Sequence, residues 1–318
     1  MTKKKDVQLG LCCMNKTLRE QKPTIFSSRG MIISSVKKLG IPELKRRIIL
    51  NLEDTLKLIE WNEKNGIKVF RLSSNIFPHK SNPRVEDYDF EFAKPLLKKI
   101  GNLAKKYGHR LTFHPGQYNV VGTPNKEMFQ NTILTLKYQA DVLDLMGCGK
   151  DSVMVIHGGG VYCNKKVTMK RWVKQFYLLP KNVQKRLVLE NDERCYNIKD
   201  CLEISKKINI PVVFDTHHFE CYKIAHPDVK FRTPAYYIPK ILETWEKRGI
   251  KPKFHVSEQG VGRLGHHSKY IKVLPQYLLD IPKKHGVKID IMIEAKEKEL
   301  AIFELYKKYP ELDYRIKN

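Results

Sequence analysis

Residues 152–157 read Ser-Val-Met-Val-Ile-His and predict a β-strand that is buried on both faces. Similar β-rich runs recur along the chain and are separated by segments of helical length. The predicted strands are Val7–Cys13, Lys68–Leu72, Arg110–His114, Ser152–His157, Arg186–Glu190, Pro211–Asp215, Lys253–Ser257 and Lys288–Glu294. Because eight alternating β and α units close into a parallel barrel, the sequence predicts an α/β protein with one (β/α)8 TIM-barrel domain over residues 1–318.

The segments between these strands carry apolar residues at helical spacing, which predicts the helices of the barrel. The predicted helices are Pro42–Lys64, Phe92–Tyr107, Glu127–Met146, Asn197–Lys207, Ala235–Arg248 and Tyr270–His285. An open, doubly wound sheet is the alternative architecture. The glycine fingerprint that cradles a dinucleotide phosphate is missing after the first predicted strand, which favours the barrel.

The composition indicates in which cellular environment the chain works and which kind of partner it binds. It has 59 basic against 34 acidic residues and a net charge of +25, which favours polyanions as partners. Its seven cysteines form no Cys-x-x-Cys pair, which fits a reduced, intracellular protein better than a disulfide framework. The sequence shows no signal peptide and no apolar run long enough for a membrane span, and residues 1–5 read as a flexible basic tail.

Side chains of the types that bind metal ions stand at or near the ends of the predicted strands, from the third strand onward. His114, His157, Glu190, Asp215 and Glu294 end their strands, His255 lies within the seventh strand, His218 lies one turn beyond Asp215, and His267 lies in the loop after the seventh strand. The carboxyl ends of barrel strands converge on one rim, so residues far apart in sequence are expected to meet there. Buried carboxylates need a positive partner, and a cation is the simplest one.

The donor set contains nitrogen and oxygen but no thiolate, which suits Mn²⁺, Zn²⁺ or Fe²⁺. Eight candidate ligands exceed what one ion takes, so two or three ions are predicted, with Glu190 or Glu294 bridging a pair. Such sites suit phosphodiester hydrolysis, because separate ions can polarise the phosphoryl oxygen, activate water and stabilise the leaving alkoxide. The His157–Gly160 run imitates a serine-hydrolase oxyanion loop, but no Gly-x-Ser-x-Gly elbow accompanies it.

At these positions the sequence resembles the UV damage endonuclease family from Leu9 to about Lys298. The motifs that carry the resemblance are Phe70–Pro78 (FRLSSNIFP), His114–Tyr118 (HPGQY), Ile156–Gly159 (IHGG), Leu189–Glu193 (LENDE), Phe214–His218 (FDTHH), Pro252–His255 (PKFH) and Ile293–Lys296 (IEAK). Each motif is weak alone, but seven in order are specific. Endonuclease IV enzymes and sugar isomerases share only the barrel and the metal rim.

The resemblance implies an enzyme that nicks duplex DNA immediately 5′ to a UV photoproduct, depends on Mn²⁺ and leaves a 3′-hydroxyl. The family's metal positions fall on the eight residues given above, and Glu190 and Glu294 are the expected catalytic carboxylates. Lys253 matches a family lysine beside the metals, where it stabilises phosphate charge or, if carboxylated, ligates a metal. The implied substrate is double-stranded DNA with UV lesions, and we expect a monomer.

Gln117 and Tyr118 match the pair that family members insert into the duplex at the lesion. A fused dimer stacks poorly, so its extrusion costs less than that of normal bases, and a polar group with an aromatic ring can fill the gap. Packing within the loop is the alternative role for this pair. Asn15 matches an asparagine near the substrate, and it is equally suited to cap the first loop.

The sequence departs from the family pattern at two places. A family histidine near the metals is Asn82 here, so either Asn82 or His79 is a possible ligand. The family's Gly-Tyr near the first strand is Gly10-Leu11, which we expect to remove an aromatic ring from the DNA-facing loop. An abasic-site endonuclease or a sugar isomerase is the alternative enzyme, and a DNA-binding protein without activity is a third class. The charged rim residues argue against this third class.

Overall fold

The computed structural model describes residues 5–315, and its eight strands run parallel in a single sheet. The strands are β1 (Val7–Cys12), β2 (Val69–Arg71), β3 (Arg110–Thr112), β4 (Met154–His157), β5 (Leu187–Glu190), β6 (Val212–Asp215), β7 (Lys253–Val256) and β8 (Ile289–Ile293). β1 pairs with β8, and a parallel bridge from Phe113 to Met154 joins β3 to β4. These pairings close the ring, so the predicted TIM barrel is confirmed, with strand ends shifted by one or two residues.

Twelve α-helices surround the barrel in the described part of the chain. They are α1 (Lys16–Glu20), α2 (Ile33–Lys64), α3 (Lys94–Tyr107), α4 (Lys126–Leu145), α5 (Lys165–Phe176), α6 (Lys181–Arg186), α7 (Ile198–Ile208), α8 (Thr216–Ala225), α9 (Pro234–Arg248), α10 (Gln276–Leu279), α11 (Ile281–His285) and α12 (Glu299–Lys308). Five of the six predicted helices are confirmed, while α1, α5, α6, α8 and α12 were not predicted. Gly40 interrupts α2 with a positive φ of 74°.

The predicted helix Tyr270–His285 is wrong in its first third. Residues 270–275 form no helix, and α10 and α11 divide the remainder. The carboxylate of Glu258 accepts hydrogen bonds from the backbone N–H groups of Lys272 and Val273, at 2.6 and 3.2 Å. These bonds hold the segment extended, and Pro275 and Pro282 each begin a new helical turn.

The interior of the barrel is unusually polar. The Arg110 guanidinium on β3 donates to Asp290 on β8 at 2.7 Å, and Lys253 Nζ on β7 reaches Thr112 Oγ1 on β3 at 3.0 Å. Between these contacts and the rim, Gly10 leaves room for the side chain of Met292, since an added Cβ would lie 3.0 Å from its terminal methyl group. The aliphatic core therefore lies outside the strands, between the sheet and the helices.

Two local expectations are changed by the structure. Leu11 lies on β1, is fully buried and belongs to the aliphatic core, so the prediction that it occupies a DNA-facing loop is wrong. Of the predicted flexible tail, Lys5 is held by Tyr314 and by the carbonyl of Asp313, and residues 1–4 lie outside the described part. All seven cysteines are free, and no described helix has the length and apolar character of a membrane span.

Replacement of Asp290 by alanine is expected to lower the free energy of unfolding by about 3 to 5 kcal/mol, because it leaves the buried Arg110 charge unpaired. Asp290 is fully buried, whereas Asp280 forms an exposed pair with Lys284 on one helix face. Asp280→Ala is the matched control and is expected to cost less than about 1 kcal/mol. Urea unfolding of both variants measures the difference, and equal losses would contradict a structural role for the buried pair.

Candidate metal centre

The register of the strands brings the predicted ligands together at one end of the barrel. His157 on β4 pairs with Glu190 on β5, and Asp215 on β6 pairs with His255 on β7. His114 lies two residues after the end of β3, and Glu294 follows β8 directly. Each of these side chains leaves the sheet at the carboxyl end of its strand, which is where barrel enzymes build their sites.

The carboxylate of Glu190 is the centre of the group. Its Oε2 lies 2.9 Å from His114 Nε2 and 3.0 Å from His157 Nε2, and its Oε1 lies 2.7 Å from His255 Nδ1. The side chain is fully buried. Two sets of closely spaced donors share this carboxylate, and each is suited to hold a metal ion: His114 with His255, and His157 with His218.

Asp215 serves both as a strand end and as the cap of α8. Its Oδ1 accepts from the backbone N–H of His218 at 2.8 Å, which fixes the carboxylate plane. Its other oxygen lies 3.8 Å from His218 Nδ1, and that nitrogen lies 3.0 Å from the carbonyl oxygen of Asn191. The cap therefore directs one carboxylate oxygen into the centre.

Glu294 occupies the opposite side of the group and forms an ion pair with Arg71 at the end of β2. Its Oε1 lies 3.1 Å from His255 Nδ1, and its Oε2 lies 3.9 Å from His267 Nδ1. All eight predicted ligands thus belong to one connected cluster. His267 is the most exposed of its imidazoles, because it stands on the loop after β7.

The residues of this cluster fit a cation by an independent observation. Two buried polar atoms at its centre have no hydrogen-bond partner among the described residues: His255 Nε2 and Asp215 Oδ2. Unpaired buried donors and acceptors are costly, and lone pairs converging on one place are what a metal ion satisfies. The donor set of imidazole nitrogen and carboxylate oxygen suits a divalent ion of the first transition row.

The ionisation of the cluster follows from its burial and its close charges. Burial raises the pKa of Glu190, but the imidazoles of His255 and His157 outweigh it and hold the pKa well below the usual range. Burial raises the pKa of Asp215 to about 7 against the opposing charge of His218. For His218 burial opposes the charged form, but Asp215 and Glu190 raise its pKa to about 9. Without a bound ion, protons would have to supply the missing positive charge.

Lys253 lies two residues before His255 on β7 and is fully buried inside the barrel. Burial, with Arg71 and Arg110 nearby, lowers the pKa of its amine to about 7. The amine is therefore not an ordinary surface cation. At neutral pH it has both a charged and a neutral form available, directly below the imidazole of His255.

The predicted substrate residues are placed differently from one another. Gln117 and Tyr118 form an exposed turn after β3, and Tyr118 exposes 71% of its surface. Asn15 is buried and caps α1, where its Oδ1 accepts from Leu18 N at 2.7 Å. Its Nδ2 has no hydrogen-bond partner among the described residues. Asn15 thus caps α1 through its side-chain oxygen, as the sequence allowed, and its side-chain NH2 group is left unpaired.

His79 and Asn82 are bonded to each other and to the loop that precedes α2. His79 Nε2 lies 2.6 Å from the carbonyl oxygen of Met31, and Asn82 Nδ2 lies 3.2 Å from His79 Nδ1. Neither residue belongs to the groups of closely spaced donors found in the described chain. Both line a cavity of about 460 Å³ together with Tyr118.

The sequence did not single out three residues that the structure places at the centre. Arg71 pairs with Glu294, Glu193 Oε2 lies 4.0 Å from His218 Nε2, and Asn191 exchanges two hydrogen bonds with the backbone of Asp215. A signal was present for Arg71, since it lies one residue before the end of the predicted strand Lys68–Leu72 and stands in the Phe70–Pro78 motif. Asn191 and Glu193 stand in the Leu189–Glu193 motif, but their spacing in the sequence does not predict that their side chains point toward the centre.

Comparison with known proteins agrees with this geometry. The family model for UV-endonuclease UvdE matches residues 7–317. A relative from Acanthamoeba polyphaga mimivirus is 40% identical over 315 residues, covering 98% of this chain and 93% of the relative. The UV-damage endonuclease of Schizosaccharomyces pombe is 36% identical over 313 residues, and the chain spans about half of its length, 50%.

Among solved structures, the crystal structure of SacUVDE superposes with a TM-score of 0.81 at 29% identity, over 96% of this chain and 100% of that one. The agreement therefore extends over the whole barrel, including every strand that carries a rim ligand. With a family model matched from the first strand to the end of the described residues, the chain belongs to the UV-endonuclease UvdE family.

Proposed function

We propose that this chain is a metal-dependent DNA repair endonuclease that cleaves the backbone of duplex DNA immediately 5′ to a UV photoproduct. The observation that carries the proposal is the buried carboxylate of Glu190, shared by two sets of imidazoles on the rim of a barrel of this family. Its relative in Schizosaccharomyces pombe is named for action on UV damage. Such an enzyme works inside the cell and acts as a monomer on its substrate.

In this proposal the rim holds two or three divalent ions, with Mn²⁺ preferred over Zn²⁺ or Fe²⁺. The residues that would hold these ions are His114, His157, Glu190, Asp215, His218, His255, His267 and Glu294, and Glu190 is the carboxylate that both sets of imidazoles share. When bound, such ions polarise the phosphoryl oxygen and lower the pKa of a water nucleophile. His79 and Asn82 stay outside this set, because their polar atoms are bonded to each other and to Met31.

Other residues of the chain hold the ligands in position and balance the charge of the carboxylates. The backbone of α8 fixes Asp215, and Asn191 holds both the Asp215 backbone and the His218 ring in place. Arg71 neutralises Glu294 from the side of β2. Lys253, with a pKa of about 7, stands below the ligands and can offer either a positive charge or a neutral amine to the site. We assign Glu190, Glu294 and Lys253 the catalytic positions.

The substrate assignment rests on the exposed turn after β3 and on the net charge. Gln117 and Tyr118 are both exposed, although the ring of Tyr118 lies over Gly116 of its own loop, where an added Cβ would come within 2.5 Å of it. They are suited to fill the space that an extruded photoproduct leaves in the stack. A net charge of +25 favours a polyanion over a small sugar, which disfavours the sugar isomerase alternative. An abasic-site endonuclease remains the enzyme to be distinguished by assay.

Metal binding at this rim is expected to stabilise the fold. Mn²⁺ at 100 times its Kd should raise the free energy of unfolding by about 2.7 kcal/mol. Glu190→Gln removes the charge that both donor sets share, and the gain should fall below about 1 kcal/mol. Glu203→Gln, on the exposed face of α7, is the control and should keep the full gain. Urea unfolding with and without Mn²⁺ measures the rise in the free energy of unfolding for each variant. An equal rise in both variants would remove Glu190 from the ligand set.

Cleavage is expected on UV-irradiated supercoiled plasmid with Mn²⁺ and not on untreated plasmid. Glu294→Gln should lower the nicking rate about 10²- to 10³-fold, the range found when one charge-stabilising group is removed. Binding should persist, because it rests on phosphate contacts. Glu304→Gln, exposed on α12, is the control. Equal nicking of both plasmids would refute damage specificity, nicking of abasic DNA alone would favour the alternative enzyme, and an active Glu294→Gln variant would refute the metal assignment.

The turn after β3 is expected to set the preference for damage. Replacing Gln117 and Tyr118 by alanine should lower the ratio of nicking on irradiated over untreated DNA about tenfold, since one base stack is worth about 1–3 kcal/mol. Tyr177→Ala removes another exposed ring, at the opposite end of the barrel, and should leave the ratio unchanged. An unchanged ratio in the double variant would assign lesion recognition to another element.

A further inference from the structure

The loop after β7 forms a short hairpin whose tip exposes apolar side chains at the rim. Residues 259–267 make up this rim hairpin, and Gln259 and His267 pair across its base as an antiparallel bridge. All four tip residues, 261–264, are exposed, and Val261 exposes 96% of its surface. An exposed valine alone is unremarkable, but here it stands with Leu264 on a projecting turn beside the metal centre.

The rim hairpin is ordered by its own hydrogen bonds. Backbone bonds run from Gly260 N to His266 O at 2.6 Å and from Ser268 N to Glu258 O at 2.8 Å. Inside the turn, the Gln259 amide group donates to the carbonyls of Gly260 and Arg263 and accepts from the N–H of Gly265. These hydrogen bonds therefore fix the position of the tip residues.

Glycines allow this tight shape. A Cβ on Gly260 would lie 2.3 Å from the carbonyl oxygen of His267, so the two arms approach too closely for a side chain. Gly262 has a φ of +113° and Gly265 a φ of +91°, conformations that side chains rarely adopt. The hairpin therefore explains why glycine occupies positions 260, 262 and 265. The predicted metal site does not by itself require glycine at these positions.

The base of the rim hairpin is part of the metal centre. His267 lies 3.9 Å from the Glu294 carboxylate, and its ring packs edge-on against His217, with centroids 5.9 Å apart. Gly265 faces the side chain of Glu193, since a Cβ there would meet it at 3.5 Å. The tip therefore lies within one hairpin length of the proposed site of cleavage.

The position of the rim hairpin in the barrel sets it opposite Tyr118. The strands close in the order β1 to β8, so β3 and β7 are four strands apart in either direction around the ring. The Gln117-Tyr118 turn follows β3, and the rim hairpin follows β7. Two exposed elements thus stand on opposite sides of the metal centre.

We propose that the rim hairpin is a second DNA-binding element, which inserts Val261 and Leu264 into the minor groove of the duplex across from Tyr118 and binds a backbone phosphate through Arg263. The inference rests on the proposed function, because it assumes a duplex lying over the rim. Apolar wedges of this kind unstack base steps and bend DNA, which would assist extrusion of a lesion from the other side.

Arg263 supplies the charge that such an element needs. Among the described residues no carboxylate forms an ion pair with Arg263, and its Nε lies 3.2 Å from His266 Nε2 at the exposed tip. A guanidinium can bind phosphate with two parallel hydrogen bonds. The tip therefore combines two apolar side chains with one available cation, the composition of a groove-binding wedge.

The test measures binding and salt dependence on one duplex that carries a single UV photoproduct, by fluorescence anisotropy with Ca²⁺ in place of Mn²⁺. Val261→Ser with Leu264→Ser should weaken binding about tenfold through lost apolar contact, with the salt dependence unchanged. Arg263→Ala should weaken binding and reduce the slope of log K against log salt by about 1. A base analogue placed beside the lesion should lose its fluorescence increase in the first variant.

The control variants are Leu178→Ser and Lys105→Ala, which are exposed at the opposite end of the barrel. They should keep wild-type affinity and salt slope, and circular dichroism should show that all variants are folded. Wild-type nicking of irradiated DNA together with unchanged binding by both hairpin variants would overturn the hairpin role and leave the proposed function standing. Wild-type protein that does not bind the duplex would overturn the proposed function itself, and the hairpin role with it.

Discussion

The fully buried carboxylate of Glu190 is the constraint on which the centre depends. A carboxylate removed from water loses several kcal/mol of solvation unless positive or hydrogen-bonding partners surround it. Four imidazoles approach it within 3.9 Å, from the ends of β3, β4 and β7 and from α8. These partners are correctly placed only in one strand register, since a slip of one residue would turn each side chain to the other face of the sheet. The strand register that closes the barrel is therefore also the register that places the side chains of the rim around Glu190.

Much of this could be predicted because strand ends in a barrel have a fixed common position. Once eight strands are recognised, their last residues must converge, so the meeting of His114, His157, Glu190, Asp215 and Glu294 at one rim follows from sequence positions alone. The direction of side chains within the loops does not follow in this way. Glu193 faces His218 because Asp192 accepts three backbone N–H groups of residues 194–196 and folds the turn. Contacts of this kind depend on tertiary structure and leave no periodic pattern.

The wrong helix prediction has the same origin. Residues 270–275 have apolar residues at acceptable spacing, but the carboxylate of Glu258, more than ten positions earlier, binds the N–H groups of Lys272 and Val273 and anchors the segment in a non-helical conformation. Local propensity is a weak influence and is overridden when a buried or partly buried carboxylate finds backbone donors.

The interior of the barrel shows how the site influences the fold beneath it. Barrel cores are normally filled by layers of branched aliphatic side chains. Here Arg110, Asp290 and Lys253 occupy that space, and Cys12, Val69 and Met292 form a small separate apolar cluster within it. Buried charges are tolerated when each has a partner, and they contribute little net stability compared with a packed aliphatic layer. The stability of the domain therefore resides in the outer core, which leaves the inner column free to set the charge below the metal ligands.

The pair His79 and Asn82 forms a structural link at the place where the resemblance led us to expect a metal ligand. Since the carbonyl of Met31 can only accept, His79 Nε2 carries the proton and donates to it, and His79 Nδ1 is left to accept from Asn82 Nδ2. Both ring nitrogens are then engaged, so His79 has no lone pair left for a cation. Its backbone adopts a positive φ of 62°, an uncommon conformation that these two bonds help to hold. The histidine thus ties the loop after β2 to the chain before α2, and the closely spaced donors of the described chain lie around Glu190 instead.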